Sequence, residues 1–513
     1  MRRWNVFQNI VITVFAVAFA IAATSPLANA QASATVRKST ASLAKSDTVP
    51  VTTSSRLARQ DYELGLSHRE DLLFTEEGIE FFRKAVQADP HFALGHATLA
   101  FFTTDPSEEV RELGLVKASI SHAAPDEKLL IQWMTGTKNG QLIPAIAAMN
   151  DLLAKYPNDK RLANMYGEWL LGAQQNYDQA AKVLEKILQK DPDYYPALNN
   201  LAYSYALGGR AELAPPLMDQ YVAALPGQPN PQDSYAEILR MLGDFPDALD
   251  HYRTALRIAP TFFTSQVGIA STYALMGDEE RARLEYLKPI DMAKERTDRM
   301  DYRILWAMTY FRENRPGLAR KAFGEVAAEA HKQNLPIEEA ECHRDTALFD
   351  PDPDSAMNDL DAASAVLTDK RHILSRTRDT ELAKILQTRS FIAARSGNVD
   401  AARKALEELN SMAQTNRDNV VQDAYHSANG AVMFLQGDYS GAISDLEEDP
   451  RDPLSLQLLA DAQSKSGQTA DAQKTLATLA AINDETIEMA VVVPPVRAAL
   501  KSNSSPSAQG TSH

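Results

Sequence analysis

The aspartates of "FDPDPDSAMNDLD", Asp350, Asp352 and Asp354, alternate as the oxygen ligands of a calcium loop do. Such a loop also needs glycine at its sixth position and glutamate at its twelfth; here those positions hold Ser355 and Asp361, and Pro351 and Pro353 intrude. The same residues suit a simpler purpose, with Asp354 capping a helix that begins near Ser355. Cys342–His343 sets a thiol beside a base. Consecutive residues of a helix point about 100° apart, so the two do not face each other, and a cysteine in a helical array acts as a small apolar filler. The ten histidines lack zinc-binding spacing, His91 and His96 being five apart. No H-E-x-x-H, G-x-x-x-x-G-K-[ST], G-x-S-x-G or strand-borne G-x-G-x-x-G occurs. No catalytic residue, no metal and no cofactor is expected.

The elements that would carry any site repeat at a fixed interval. A shift of 34 residues carries Leu201, Ala202, Tyr205, Ala214, Met218, Tyr221 and Pro226 onto Tyr235, Ala236, Leu239, Ala248, Tyr252, Ala255 and Pro260. A further shift reaches Ile269, Ala270, Tyr273, Ala282 and Tyr286; backwards, the pattern returns as Tyr166, Gly167, Leu170, Ala180, Leu184, Ile187 and Pro192. Pro90, Pro125, Pro157, Pro192, Pro226 and Pro260 follow one another at 35, 32, 35, 34 and 34 residues. Within a unit, apolar residues recur at i, i+3, i+4 and i+7 in two runs of about a dozen residues. A breaker divides them: Gly208-Gly209, Gly243-Asp244, Gly277-Asp278, Gly397-Asn398, Gly437-Asp438 or Gly467-Gln468. Each unit is helix, tight turn, helix, and the proline closes the second helix because it cannot continue one. Ala202 and Ala214 leave room where the two helices cross, with Leu201, Tyr205 and Met218 filling the space around them.

These residues resemble the tetratricopeptide repeat family, whose 34-residue unit carries L-G-x2-Y, then A-x3-F, then P. "TEEGIEFFRKAVQADP" (Thr75 to Pro90) and "FPDALDHYRTALRIAP" (Phe245 to Pro260) are similar to that family's second helix. Looser copies are Trp306-Ala307, Tyr310, Ala319 and Phe323; Ala402 and Leu406; Ala442 and Leu446; and Leu459-Ala460, Ala472 and Leu476. The resemblance implies an all-α fold, a right-handed superhelical solenoid of antiparallel helix pairs with roughly a dozen repeats. It divides the chain into a strong-motif array at 59–299, a weaker and irregular array at 300–486 and a terminal cap at 487–500.

Outside the array the composition changes. Arg2 and Arg3 precede an uncharged run whose apolar core, Ile10 to Ala23, is 14 residues long. That is shorter than the roughly 20 residues of a membrane-spanning helix. With the small-x-small site Ala28-Asn29-Ala30 it reads as a signal peptide over 1–30, cleaved after Ala30. The expected protein is exported, periplasmic or secreted, with no stable membrane span after cleavage. Losing two arginines takes the net charge from −16 to −18, which repels phosphate backbones and argues against nucleic acid as a partner. Residues 31–58 are rich in Ala, Ser and Thr and read as a flexible leader; 501–513 read as a disordered tail. With Cys342 as the sole cysteine, no disulfide forms within the chain.

The resemblance implies a scaffold that binds a protein or peptide partner through a concave groove lined by the first helix of each pair. Carried onto this chain, the groove stripe holds Asn164 and Glu168, Asn199 and Tyr203, and Asp233 and Glu237. Each pair is four residues apart and shares a helix face. Family members that clamp a carboxylate place Lys, Arg and Asn there; here three acids stand in the stripe without Lys or Arg. The implied partner is an extended segment with basic or amide side chains, its backbone held by Asn164 and Asn199 and anchored on Tyr203. Acids on such a face also fit plain solvation of an exposed helix. Two other functions stay open: an enzyme whose site lies in the weak repeats from Pro336 to Arg417, and a structural docking part of an envelope secretion or export assembly.

Overall fold

The computed structural model describes residues 47–70, 76–368, 373–449 and 451–504. The expected signal peptide, most of the leader and the end of the tail lie outside these residues. Among the described residues there are twenty-five α-helices and no strand. They run as twelve antiparallel pairs and one further helix. The first four pairs are α1 (Arg56–Glu70) with α2 (Glu76–Ala88), α3 (Ala93–Phe102) with α4 (Pro106–Ser119), α5 (Pro125–Lys138) with α6 (Leu142–Lys155), and α7 (Lys160–Gly172) with α8 (Tyr177–Lys190). Next come α9 (Tyr195–Leu207) with α10 (Pro215–Ala224), α11 (Pro229–Leu242) with α12 (Phe245–Ile258), α13 (Phe263–Met276) with α14 (Glu279–Met292), and α15 (Arg296–Arg312) with α16 (Pro316–Lys332). The last are α17 (Pro336–Phe349) with α18 (Pro353–Val366), α19 (Ser375–Ser396) with α20 (Val399–Thr415), α21 (Asn419–Gln436) with α22 (Tyr439–Leu446), and α23 (Pro453–Lys465) with α24 (Thr469–Ala481). The helix α25 (Ile487–Ser504) follows.

The breaker dipeptides act as a stop and a start. Gly209, Gly243, Gly277, Gly397, Gly437 and Gly467 all have φ between 72° and 84°, the left-handed geometry that ends a helix and that glycine adopts without steric cost. The residue after several of them then caps the next helix: Asp278 accepts from the Arg281 N–H, Asn398 from Ala401 and Asp438 from Gly441. Gln175, Asn314 and Asn334 adopt the same left-handed φ without being glycine, so these turns carry no glycine signal. Most periodic prolines follow the end of a second helix as expected. Pro125 does not: it sits in the first turn of α5, where its missing N–H would be unpaired in any case.

The crossing alanines are fully buried: Ala202, Ala214, Ala236, Ala248, Ala270 and Ala282 have no exposed surface. Packing between pairs is equally close. A Cβ built on Gly268 would lie 2.3 Å from ring atoms of Tyr252 in the preceding pair. Gly268→Ala is therefore expected to cost about 1–3 kcal/mol through overpacking. Because each pair touches mainly its neighbours, hydrogen exchange should accelerate around α12 and α13 and much less in distant pairs.

First and second helices differ in burial, which shows how the array curves. All ten residues of α3 and eleven of the fourteen in α13 are buried, against four of the fourteen in α14. First helices lie inside and second helices outside. The curvature brings the chain back onto itself. Asn483 Nδ2 donates to the Met241 carbonyl, 242 residues away, and Asn419 Nδ2 to that of Gln174, 245 away. At about 34 residues per unit, one superhelical turn takes about seven pairs. The helix-to-helix turns of the first circuit thereby meet the pair junctions of the second.

The chain ends depart from the sequence reading. Within the expected 31–58 leader, residues 47–55 run extended along the first circuit and α1 begins at Arg56. Backbone donors and apolar contacts order this piece despite its composition. At the other end α25 runs through Ser504, past the expected 487–500 cap and into the expected tail.

Candidate functional site

The six stripe residues do lie on first helices, α7, α9 and α11, but they point into the protein. Asn164 accepts from Asn200 Nδ2 at 3.3 Å. Glu168 receives two hydrogen bonds from Arg69 of α1, at 2.6 and 2.7 Å. Asn199 is buried. The Tyr203 hydroxyl donates to Glu237 at 3.0 Å, and Asp233 accepts from Ser265 Oγ at 2.6 Å. Burial, and then the Glu237 charge, push the Tyr203 phenol well above its ordinary range. The expectation of a solvated stripe open to a partner is thus corrected. The superhelix is tight enough that α1 crosses to α7, where Arg161 also pairs with Glu63 and Glu70. Arginines face two of these inner acids, Arg69 at Glu168 and Arg240 at Glu237, and such pairing offsets the cost of placing charge away from water.

Two arginines that the sequence pattern did not single out organise this interior. Arg240, 1% exposed, binds Glu237 on its own helix and Glu485 from the second circuit. Arg344 binds Glu341 at 3.2 Å, Asp345 at 3.1 Å, Glu381 at 3.1 Å and Glu488 of α25 at 2.6 Å. Burial alone would lower the Arg344 pKa, but these carboxylates raise it well above its usual value. Only the i, i+3 partners Glu237 and Glu341 are visible as local spacing. Glu485 and Glu488 lie 245 and 144 residues from their arginines.

The sequence candidates for chemistry are placed as follows. Asp352, rather than Asp354, caps α18, accepting from the Asp354 N–H, while Asp350 pairs with Arg320. Cys342 is buried in the apolar cluster with Leu305 and Phe349, and His343 lies half-buried at the next position. Among the described residues no group of three His, Cys, Asp or Glu side chains is arranged to hold a metal ion, and no helix is long and apolar enough to cross a membrane.

One surface does hold a segment as a ligand would be held. Residues 47–55 lie across the starts of three successive first helices. The Thr52 N–H donates to Glu127 Oε1 at 2.9 Å and the Val49 N–H to Asp159 Oδ2 at 3.4 Å. Thr53 Oγ1 donates to Asp89 at 2.5 Å, and Arg59 donates to the Val51 carbonyl at 2.7 Å. Val49 and Val51 pack on the core below, while Thr52 is exposed. Two of the three carboxylates hold backbone N–H groups and Arg59 holds a carbonyl, so that part of the grip discriminates little between side chains.

Comparison with known proteins agrees with this architecture. Family models described as tetratricopeptide repeat match residues 169–229 and 433–490. The chain is similar to the TPR repeat-containing protein YpiA of Bacillus subtilis (strain 168), 26% identical over 159 residues, or 30% of this chain. That match spans about a third of the relative's length, 36%. Among solved structures, a complex of Cut9 with Hcn1 aligns over 81% of this chain and 78% of its own at 15% identity and a TM-score of 0.41. Yeast Tom70 aligns over 80% and 96% at 14% identity and a TM-score of 0.40. A tetratricopeptide repeat protein from Parabacteroides merdae aligns over 49% and 98% at 16% identity and a TM-score of 0.36. Paired helices joined by left-handed turns, small residues at their crossings and matches to tetratricopeptide repeat models in both halves of the array identify the fold as a tetratricopeptide repeat solenoid.

Proposed function

We propose that the chain is an exported scaffold that holds an extended segment of a protein partner along the edge of its first superhelical circuit. A solenoid of this kind is a protein-binding fold. The observation that carries the finer reading is the mode in which residues 47–55 are bound. Three junctions in a row offer a carboxylate to an extended chain, and two valines are seated beneath it. Main-chain hydrogen bonding supplies affinity and the alternating apolar positions supply selectivity. The inner stripe, turned into the chain's own interior, is not assigned a partner.

The test uses a fluorescent peptide of residues 46–56 against the full mature chain and its Thr52→Pro variant. Proline removes the N–H that Glu127 accepts, so the resident segment should loosen and the peptide bind the variant more tightly than the wild type. Equal, weak binding to both folded proteins would sink the reading. Export carries its own check: N-terminal sequencing of the native protein should begin at Gln31, and an intact Met1 on a membrane-bound form would contradict it.

A further inference from the structure

The two superhelical circuits are joined most directly at the turn between α7 and α8. Three successive carbonyls there are gripped from the second circuit. Arg376 donates to Ala173 O at 2.9 Å, Asn419 to Gln174 O at 2.7 Å and Arg451 to Gln175 O at 3.4 Å. Gln175 holds the left-handed φ of 50° that presents this turn. The Arg451 guanidinium also lies 4.4 Å above the ring of Tyr177. Arg376 is backed by Asp418 at 2.8 Å.

Behind Arg451 stand more acids than one arginine can neutralise. Asp423 of α21 faces Arg451, Asp418, Asp452 and Glu448. Asp449 faces Asp423 and accepts from Ser455 and Gln387; Asp452 faces Asp449 and Glu488 and caps α23. From the first circuit, Tyr177 faces Arg451, Asp484 and Asp423. Burial, opposed by Arg451 and reinforced by the neighbouring acids, pushes Asp423 up to about 7. Asp449 and Asp452 are raised in the same direction, by burial first, and next by the Asp423 charge for Asp449 and the Asp449 charge for Asp452.

We propose that the three-donor clasp is a proton-operated catch, holding the second circuit on the first while Asp423 and Asp449 carry protons and loosening when both ionise. With both protonated, Arg451 has no strong competitor for the Gln175 carbonyl. Ionised, Asp423 draws the guanidinium back, and the half-buried Asp423 and the buried Asp449 repel one another. The sign follows from linkage. The closed form binds more protons than the open one, so closure is favoured at low pH and lost as pH rises through about 7. No other element needs to titrate, although Glu279, raised by burial to about 7, sits near Arg312 at the other contact between circuits.

The test is hydrogen exchange and small-angle scattering on the full mature chain from about pH 5.5 to about pH 8.5, exchange being corrected for its intrinsic pH dependence. Protection of the 173–176 turn and the start of α23 should fall about tenfold or more across this range, with a larger radius of gyration. Asp423→Asn with Asp449→Asn, which imitates the protonated pair, should keep both regions protected at the alkaline end. Asp423→Asn alone should retain most of that protection if the double variant folds poorly. Arg451→Met should be loose even at the acid end, and Glu279→Gln should leave the transition in place. A wild type whose protection is flat with pH, or asparagine variants that open as the wild type does, would overturn the catch.

Discussion

Replacing Arg344 with methionine is expected to destabilise the chain by about 3–5 kcal/mol, among the largest effects of any single substitution in it. Methionine matches the volume but removes the guanidinium that Glu341, Asp345, Glu381 and Glu488 share, while Lys384 stays 3.2 Å from Glu381. Those carboxylates must then take up protons or water, and the cost of an uncompensated buried charge exceeds what the ion pairs contributed over an apolar core. The loss should centre on α17, α19 and α25, because Glu488 is the ionic link of α25 to α17. Urea unfolding with hydrogen exchange reads both quantities. Adding Glu488→Gln to Arg344→Met should restore part of the stability, since it removes one of the stranded charges. Additive losses in that cycle would mean the two residues are not coupled.

Glu237→Lys is the second large expectation, at about 3–5 kcal/mol. It takes away the acceptor of the buried Tyr203 hydroxyl and sets an ammonium beside Arg240, whose side chain is 1% exposed. Glu485 would remain to balance two cations, at the contact that joins the two circuits. A lysine on a solvated helix face would change stability by less than about 0.5 kcal/mol, so the two views of the inner stripe predict very different results. Far-UV circular dichroism during thermal unfolding decides between them. An unchanged midpoint would return Asn164, Glu168, Asn199, Tyr203, Asp233 and Glu237 to a solvent-facing groove.

What the sequence by itself determined is the local unit. Gly243-Asp244 and Gly277-Asp278 are legible because a left-handed stop and the start of the next helix occupy two adjacent residues. Ala202 and Ala214 are legible because a crossing needs small residues at a spacing set by one hairpin. Even here the reading fails where another residue does glycine's work, as Gln175 and Asn314 do, or where a periodic proline opens a helix, as Pro125 does. The circuit was decided only by the tertiary structure. Each pair rotates slightly against the last, and no local pattern encodes the sum over about seven pairs that brings residue 483 to residue 241. That sum turns an apparently solvated acidic stripe into an interior, matches Arg240 with Glu485, and gives the extended residues 47–55 a row of carboxylates to lie on. Spacing along a helix says which residues share a face; the pitch of the superhelix says what that face meets.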